Sequence, residues 1–152
     1  MAEVNHTKLS AWFVALAGVV VIAGCGGTYD ASIEGVVTLD GKTVPTGLVM
    51  FHPLSVGPSA YALIDETGRY SVMTGRESGL PSGEYRVSVA ANEPPAISQT
   101  ATGGAPPPGK PITPAWYRTK ETSGLQFKVE PGNNTFNIEL SSQPPPGYKR
   151  AI

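Results

Sequence analysis

The chain has 152 residues, enough for one domain with an ordinary core and too few for two. Its 18 glycines and 15 prolines make up about a fifth of it, against roughly an eighth in ordinary proteins, which suits short strands joined by turns better than long helices. Lys plus Arg number 11 and Asp plus Glu 12, so the chain lacks the basic footprint of a nucleic-acid or anionic-bilayer binder, and its single cysteine rules out an internal disulfide.

In chain order, Lys8 precedes an apolar run, Ala11 to Ala23, that ends in small residues: the three regions of an export signal. Those thirteen residues would reach only about 20 Å as a helix, short of the ~30 Å hydrocarbon core of a bilayer. The run is too short for a permanent spanning anchor. Cys25 follows it, and Ile22-Ala23-Gly24-Cys25 resembles the lipobox of bacterial lipoproteins. That resemblance implies cleavage between Gly24 and Cys25, diacylglycerol on the Cys25 thiol, and acylation of the new amino terminus by a fatty acid such as palmitate. Small residues beside the cut let a protease approach the backbone, and a thiol can carry a thioether. A lone cysteine is more commonly an inert core residue, and only its position behind this signal argues otherwise. Gly26 and Gly27 stand where some lipoproteins carry the Asp of inner-membrane retention, which points to the outer membrane or cell surface. The expected organisation is a signal peptide at 1–24, a flexible tether at 25–31, a folded body at 32–140 and a proline-rich tail at 141–152.

Period-two alternation governs the body. Ile33, Gly35, Val37 and Leu39 face one way and Glu34, Val36 and Thr38 the other, before Asp40-Gly41 turns the chain. Further strands are expected at Leu48 to His52, Tyr61 to Ile64 and Tyr70 to Thr74. The clearest has Tyr85, Val87 and Val89 inward with Glu84, Arg86 and Ser88 outward. Leu125 to Val129 and Phe136 to Leu140 read as a closing hairpin around a Pro131–Asn134 turn. Seven strands, each with one wet face, bury their apolar sides as two packed sheets, an all-β sandwich. The long connection at 92–111 is rich in Pro, Gly and small polar residues, too poor in apolar side chains to offset its ordering entropy, and is expected to be disordered.

The string "IEGVVTLDGKTVPTGLVMFHPL", then Asp65, Gly68 and Tyr70 as D-x-x-G-x-Y, then "GLPSGEYRVSV", resembles the carboxypeptidase regulatory-like domains. The likeness runs from Ile33 to Leu140. It implies a seven-stranded transthyretin-like (prealbumin-like) sandwich. In it Gly68 and Gly83 would supply positive φ, and Tyr70 and Tyr85 would fill the core with their hydroxyls at its edge. These motifs are structural and speak to fold, not activity.

Candidate chemistry is sparse. Gly104 to Lys110 has G-x-x-x-x-G-K spacing, but three prolines remove the N–H groups that would cradle phosphate and Pro111 replaces the metal-binding hydroxyl. His52 is the one histidine outside the signal, and it reads as a surface residue beside a turn. Asp65 and Glu66 raise the question of calcium, which a D-x-x-G turn answers without a ligand set. Hydroxyisourate hydrolases share the transthyretin-like fold, yet they use several histidines and a Tyr-Arg-Gly-Ser end where this chain has "GYKRAI". Asn133-Asn134-Thr135 spells a glycosylation sequon and reads as a turn. Trp116, Tyr117 and Arg118 remain as candidate ligand-binding residues, aromatics beside a cation; the competing reading is that Trp116 pins its loop to the core.

The expectation is a noncatalytic, lipid-anchored envelope protein whose sandwich is a structural or interaction module. It has no catalytic residues, metal or cofactor, and its partners are the membrane and an envelope protein or glycan. The alternative is a carbohydrate- or peptide-binding module using the Trp116/Tyr117 region. An enzyme of unfamiliar type is the third possibility.

Overall fold

The computed structural model describes residues 28–95 and 107–148. Among these residues eleven strands run in the order β1 (Ala31–Leu39), β2 (Lys42–Thr43), β3 (Gly47–Pro53), β4 (Ala60–Ile64), β5 (Arg69–Ser71), β6 (Met73–Thr74), β7 (Glu77–Ser78), β8 (Gly83–Ala90), β9 (Leu125–Val129), β10 (Gly132–Thr135) and β11 (Ile138–Leu140). A single 3-10 turn, Ala115–Arg118, lies between β8 and β9, and no α-helix occurs among the described residues. The count exceeds seven for identifiable reasons. The stretch Tyr70–Thr74 is split into β5 and β6, which pair with different sheets; β10 forms where the Pro131–Asn134 turn is expected; and β2 and β7 are two-residue returns.

One sheet has the order β7-β6-β4-β3-β8-β9. The other is built on β1, with β10 and β11 in succession along one side, both parallel, and β5 and β2 along the opposite side, both antiparallel. Alternation explains the core. Ile33 and Val37 from β1, Val49 and Phe51 from β3, Val87 and Val89 from β8, and Ile138 and Leu140 from β11 are buried between the sheets. Each such side chain contributes roughly 1.5–3 kcal/mol by leaving water. Phe51 sits among Tyr70, Tyr85 and Phe136 with ring centroids 6.3, 6.2 and 6.5 Å away. The Tyr70 hydroxyl donates to the Phe136 carbonyl and that of Tyr85 to the Pro81 carbonyl (2.8 Å), so both phenols bury their rings with the polar tip satisfied.

Two glycines have jobs no other residue can do. At Gly68, φ is +81°, its N–H donates to the Asp65 carbonyl at 2.9 Å, and its own carbonyl receives the Val37 N–H at 2.8 Å. A Cβ at Gly35 would stand 2.1 Å from the Phe136 carbonyl oxygen, so only glycine lets β1 pass at the junction of β10 and β11.

The expected closing hairpin does not form. β9 pairs with β8, whereas β10 crosses to the other sheet and runs parallel to β1. β10 reads Gly-Asn-Asn-Thr and has no apolar face to bury, so it serves as a corner that delivers Ile138 and Leu140 into the core from the opposite side. Asn134 holds this corner. Its Oδ1 accepts the Glu130 N–H (3.0 Å), and its Nδ2 donates to the carbonyls of Glu130 (2.7 Å), Gly132 (3.1 Å) and Ser32 (3.2 Å). The sequon-like triplet is thus a side-chain clamp rather than a hairpin turn.

The segments around the body also differ from expectation. Ala31, placed in the flexible tether, is the buried first residue of β1, and Asp30 before it is bonded to Ser82. The connection at 92–111 is tied at both ends: the Glu93 N–H donates to the Lys110 carbonyl (2.8 Å) and Asn92 bridges Pro111. Residues 96–106 between them lie outside the described residues, as do 1–27 with the whole expected signal peptide.

Candidate functional site

The Trp116-Tyr117-Arg118 segment is placed by the end of β8. The Ile112 N–H donates to the Ala91 carbonyl (2.9 Å), and buried Thr113 accepts the Ala91 N–H through Oγ1 (3.0 Å). Pro114 then opens the 3-10 turn, and the Tyr117 N–H closes it on the Pro114 carbonyl (3.1 Å). The Thr122 hydroxyl ties the following loop back to the Trp116 carbonyl at 2.6 Å.

All three candidate side chains are brought together, and each is already engaged. Trp116 is only 9% exposed, and its ring meets Tyr148 edge-on at 5.1 Å and Tyr117 at 5.9 Å. The Tyr117 hydroxyl accepts the Ser141 N–H (3.1 Å), and Arg118 donates to the Asn92 side chain (2.8 Å). The C-terminal tail therefore runs over the aromatic pair: Ser142 donates from its N–H to Asp40 (3.0 Å), and Tyr148 ends on the indole. Saccharide stacking needs an open ring face, and Tyr148 occupies part of that surface. The indole Nε1–H is buried and has no partner among the described residues, a donor left unpaid at the centre of the cluster. The tail's role was legible only as a tyrosine stranded among prolines.

His52 and Ser88 form a second cluster, one the sequence reading did not assemble. They lie on adjacent strands of one sheet, and His52 Nε2 is 3.2 Å from Ser88 Oγ. His52 is half-buried instead of on the surface, and Ser88, although it faces out of the sandwich, is 5% exposed. Burial, helped by the Lys120 cation and opposed by Glu121, pushes the His52 ring below its ordinary pKa and keeps it neutral near pH 7. A neutral imidazole beside a hydroxyl has the polarity of a base–nucleophile pair. Neither residue lines the concavities bounded by Glu34 and Asn137, by Leu54 and Lys128, by Ser32 and Thr135, by Pro45 and Ile112 or by Tyr29 and Asn133.

A broad concavity of about 720 Å³ is lined by Pro45, Ile64, Asp65, Glu66, Glu93 and Ile112, among others. Its carboxylates do not converge as a metal set, and among the described residues no group of three His, Cys, Asp or Glu is placed to hold an ion. Asp65 in particular is spent on the turn. Its Oδ1 accepts the Thr67 hydroxyl (2.7 Å), the Thr67 N–H (2.8 Å) and the Arg69 N–H (3.0 Å), and the Thr67 hydroxyl bond above all holds its carboxyl below the usual range. Gly109 and Lys110, of the G-x-x-x-x-G-K string, are likewise used by the chain itself. A Cβ at Gly109 would collide with the Glu93 carbonyl, and the Lys110 carbonyl is the partner of the Glu93 N–H.

Gly24 and Cys25 lie outside the described residues; the first described residue is Thr28, whose hydroxyl donates to Glu77 at 3.2 Å. Asp30 then fixes the chain to the body. Its carboxylate accepts the Ser82 N–H (2.8 Å) and hydroxyl (2.6 Å), which hold it below the usual carboxylate range, and its carbonyl accepts the Gly132 N–H (2.8 Å). No protein family, curated protein or solved structure matches the chain.

Proposed function

We propose that this chain is a lipid-anchored, noncatalytic protein of the cell envelope. Its sandwich would be a carboxypeptidase regulatory-like domain of transthyretin-like type, with seven principal strands, acting as a structural or interaction module. The observation that carries the reading is the spacing at the amino terminus. A lipobox-like Ile22-Ala23-Gly24-Cys25 ends an apolar run of signal length, and Thr28, three residues after the cysteine, is already bonded to Glu77 of the body. A signal peptide cut at Gly24 would leave almost nothing between the lipid and the sandwich. Two or three acyl chains give lasting attachment, at about 0.8 kcal/mol per buried methylene. The test is mass spectrometry of the protein isolated from bacterial membranes. The expected mature terminus is Cys25 carrying a thioether-linked diacylglycerol, lost in Cys25→Ser; an unmodified Cys25, or an intact terminus at Met1, refutes the anchor.

A second reading is favoured by one observation, the unpartnered Nε1–H of Trp116 beneath Tyr148. Displacing the tail would free an indole face and its donor beside Arg118, which stays bonded to Asn92, a set suited to a carbohydrate or peptide partner.

A further inference from the structure

Of the three exposed large apolar side chains among the described residues, two, Leu54 and Val56, lie at the end of the sandwich that carries the amino-terminal segment, and the third, Leu63, stands on β4 near the opposite end. Asp30 is bonded to Ser82, which immediately precedes β8; the start of β8 pairs with the end of β3, Tyr85 opposite Pro53, and the Leu54 N–H donates to the Glu84 carbonyl at 2.9 Å. The β3–β4 loop therefore leaves the body beside Asp30. On it Val56 is fully exposed and Leu54 is 50% exposed, and the loop from Leu54 to Ser59 contains no charged residue. Gly57 and Pro58 at its tip offer no polar side chain and only one N–H to dehydrate.

Chain length decides what this loop meets. Three peptide steps separate Cys25 from Thr28, a span of at most about 11 Å, whereas the nine residues of β1 carry the chain roughly 30 Å to the opposite end. Once Cys25 is lipidated, the end bearing Thr28, Asp30 and the Leu54–Ser59 loop is held against the bilayer and the opposite end cannot reach it. The carboxylates at this end, Asp30, Glu77, Glu84 and Glu130, outnumber Arg76 and Lys128, so attraction to anionic headgroups does not drive the contact. What remains is an uncharged apolar tip beside a hydrocarbon interface.

We infer that Leu54 and Val56 insert into the interfacial layer of the bilayer in which Cys25 is anchored, fixing the sandwich with its β3–β4 loop down. This rests on the lipid-anchored reading. The test uses the full-length, processed protein reconstituted into phosphatidylcholine–phosphatidylethanolamine vesicles that contain spin-labelled lipid. With the Cys25 sulfur held in a thioether, Val56→Cys supplies the one free thiol for an environment-sensitive fluorophore, and Lys42→Cys places the same probe in the turn at the far end. Mass spectrometry of each sample establishes whether Cys25 carries lipid. The expected result is a blue-shifted Val56 probe, quenched by the lipid label several-fold more than the Lys42 probe. Lipid present with equal, weak quenching at both positions overturns the insertion and leaves the anchor standing. Absence of lipid on Cys25 overturns both, and the two failures are separated by the mass.

Discussion

Replacing Asn134 by alanine or by aspartate tests whether one side chain sets the crossing between the sheets. The amide makes one bond as acceptor, from Glu130 N–H, and shares two hydrogens among the carbonyls of Glu130, Gly132 and Ser32. That amounts to about three full bonds at roughly 0.5–1.5 kcal/mol each; because the site is half-buried and water can reclaim part of the loss, Asn134→Ala should cost about 2 kcal/mol. Asn134→Asp keeps the acceptor and points a carboxylate at three carbonyl oxygens, so it should be at least as damaging at neutral pH. Protonation restores one donor, so its deficit should shrink as the pH falls through the carboxyl range. The assay is urea unfolding of a Cys25→Ser chain lacking residues 1–24, followed by tryptophan emission; without Trp12 the signal comes from Trp116 alone. An alanine variant within about 0.5 kcal/mol of the parent, or an aspartate variant as stable as the parent, would refute the clamp. The crossing would then be set by the Pro131-Gly132 backbone and the burial of Ile138 and Leu140.

Two further outcomes follow from the same structure. In Tyr148→Ala, Trp116 emission should shift to the red and its collisional quenching by acrylamide should rise with little change in the unfolding midpoint, since an edge-to-face pair is worth only about 0.5–1.5 kcal/mol; unchanged emission means that the tail does not shield the indole. The folded state holds His52 neutral and the unfolded chain takes up a proton near pH 6.5, so the His52 contribution should be complete above that value and fade as pH falls below it, until the folded ring also protonates. Urea melts of His52→Gln across this window should lose that slope; an identical pH profile in the variant is the refuting result.

The strands that could be read in advance are those with one wet face and one dry face of their own. β1 and β8 alternate so regularly that Ile33, Val37, Tyr85, Val87 and Val89 could be assigned to the core without knowing their partners. β10 could not be read that way. A Gly-Asn-Asn-Thr run carries no facial signal, and whether it turns back on β9 or crosses to β1 depends on where Phe136, Ile138 and Leu140 find apolar company. Ser88 escaped for a related reason. Alternation says which way it points, and it does point outward, but not that it is sealed there against His52. At Trp116 the sequence left stacking surface and loop pin side by side. The partner that covers the indole is thirty-two residues away, in a tail whose composition reads as a loose extension.

The two ends of this sandwich are chemically different, and the difference gives the proposed anchor a consequence. At the amino-terminal end the body offers Asp30 bound to Ser82, the clamp of Asn134 and the uncharged Leu54–Ser59 loop. The opposite end gathers Asp65, Glu66 and Glu93 around the broad concavity, the Asn92–Pro111 stem of the long connection, and Trp116 under Tyr148. A lipid on Cys25 would hold the first end at the bilayer, and a soluble or cell-wall partner would then approach the second, roughly 30 Å farther out by the length of β1. The latch formed by Tyr148 stands in that approach. Among the described residues the tail is held to the body by the hydrogen bonds of Ser141 and Ser142 and by one aromatic edge, which a partner can exchange for its own. A partner that stacks on Trp116 must therefore compete with the tail, and removing the tail should strengthen its binding without touching the anchored end.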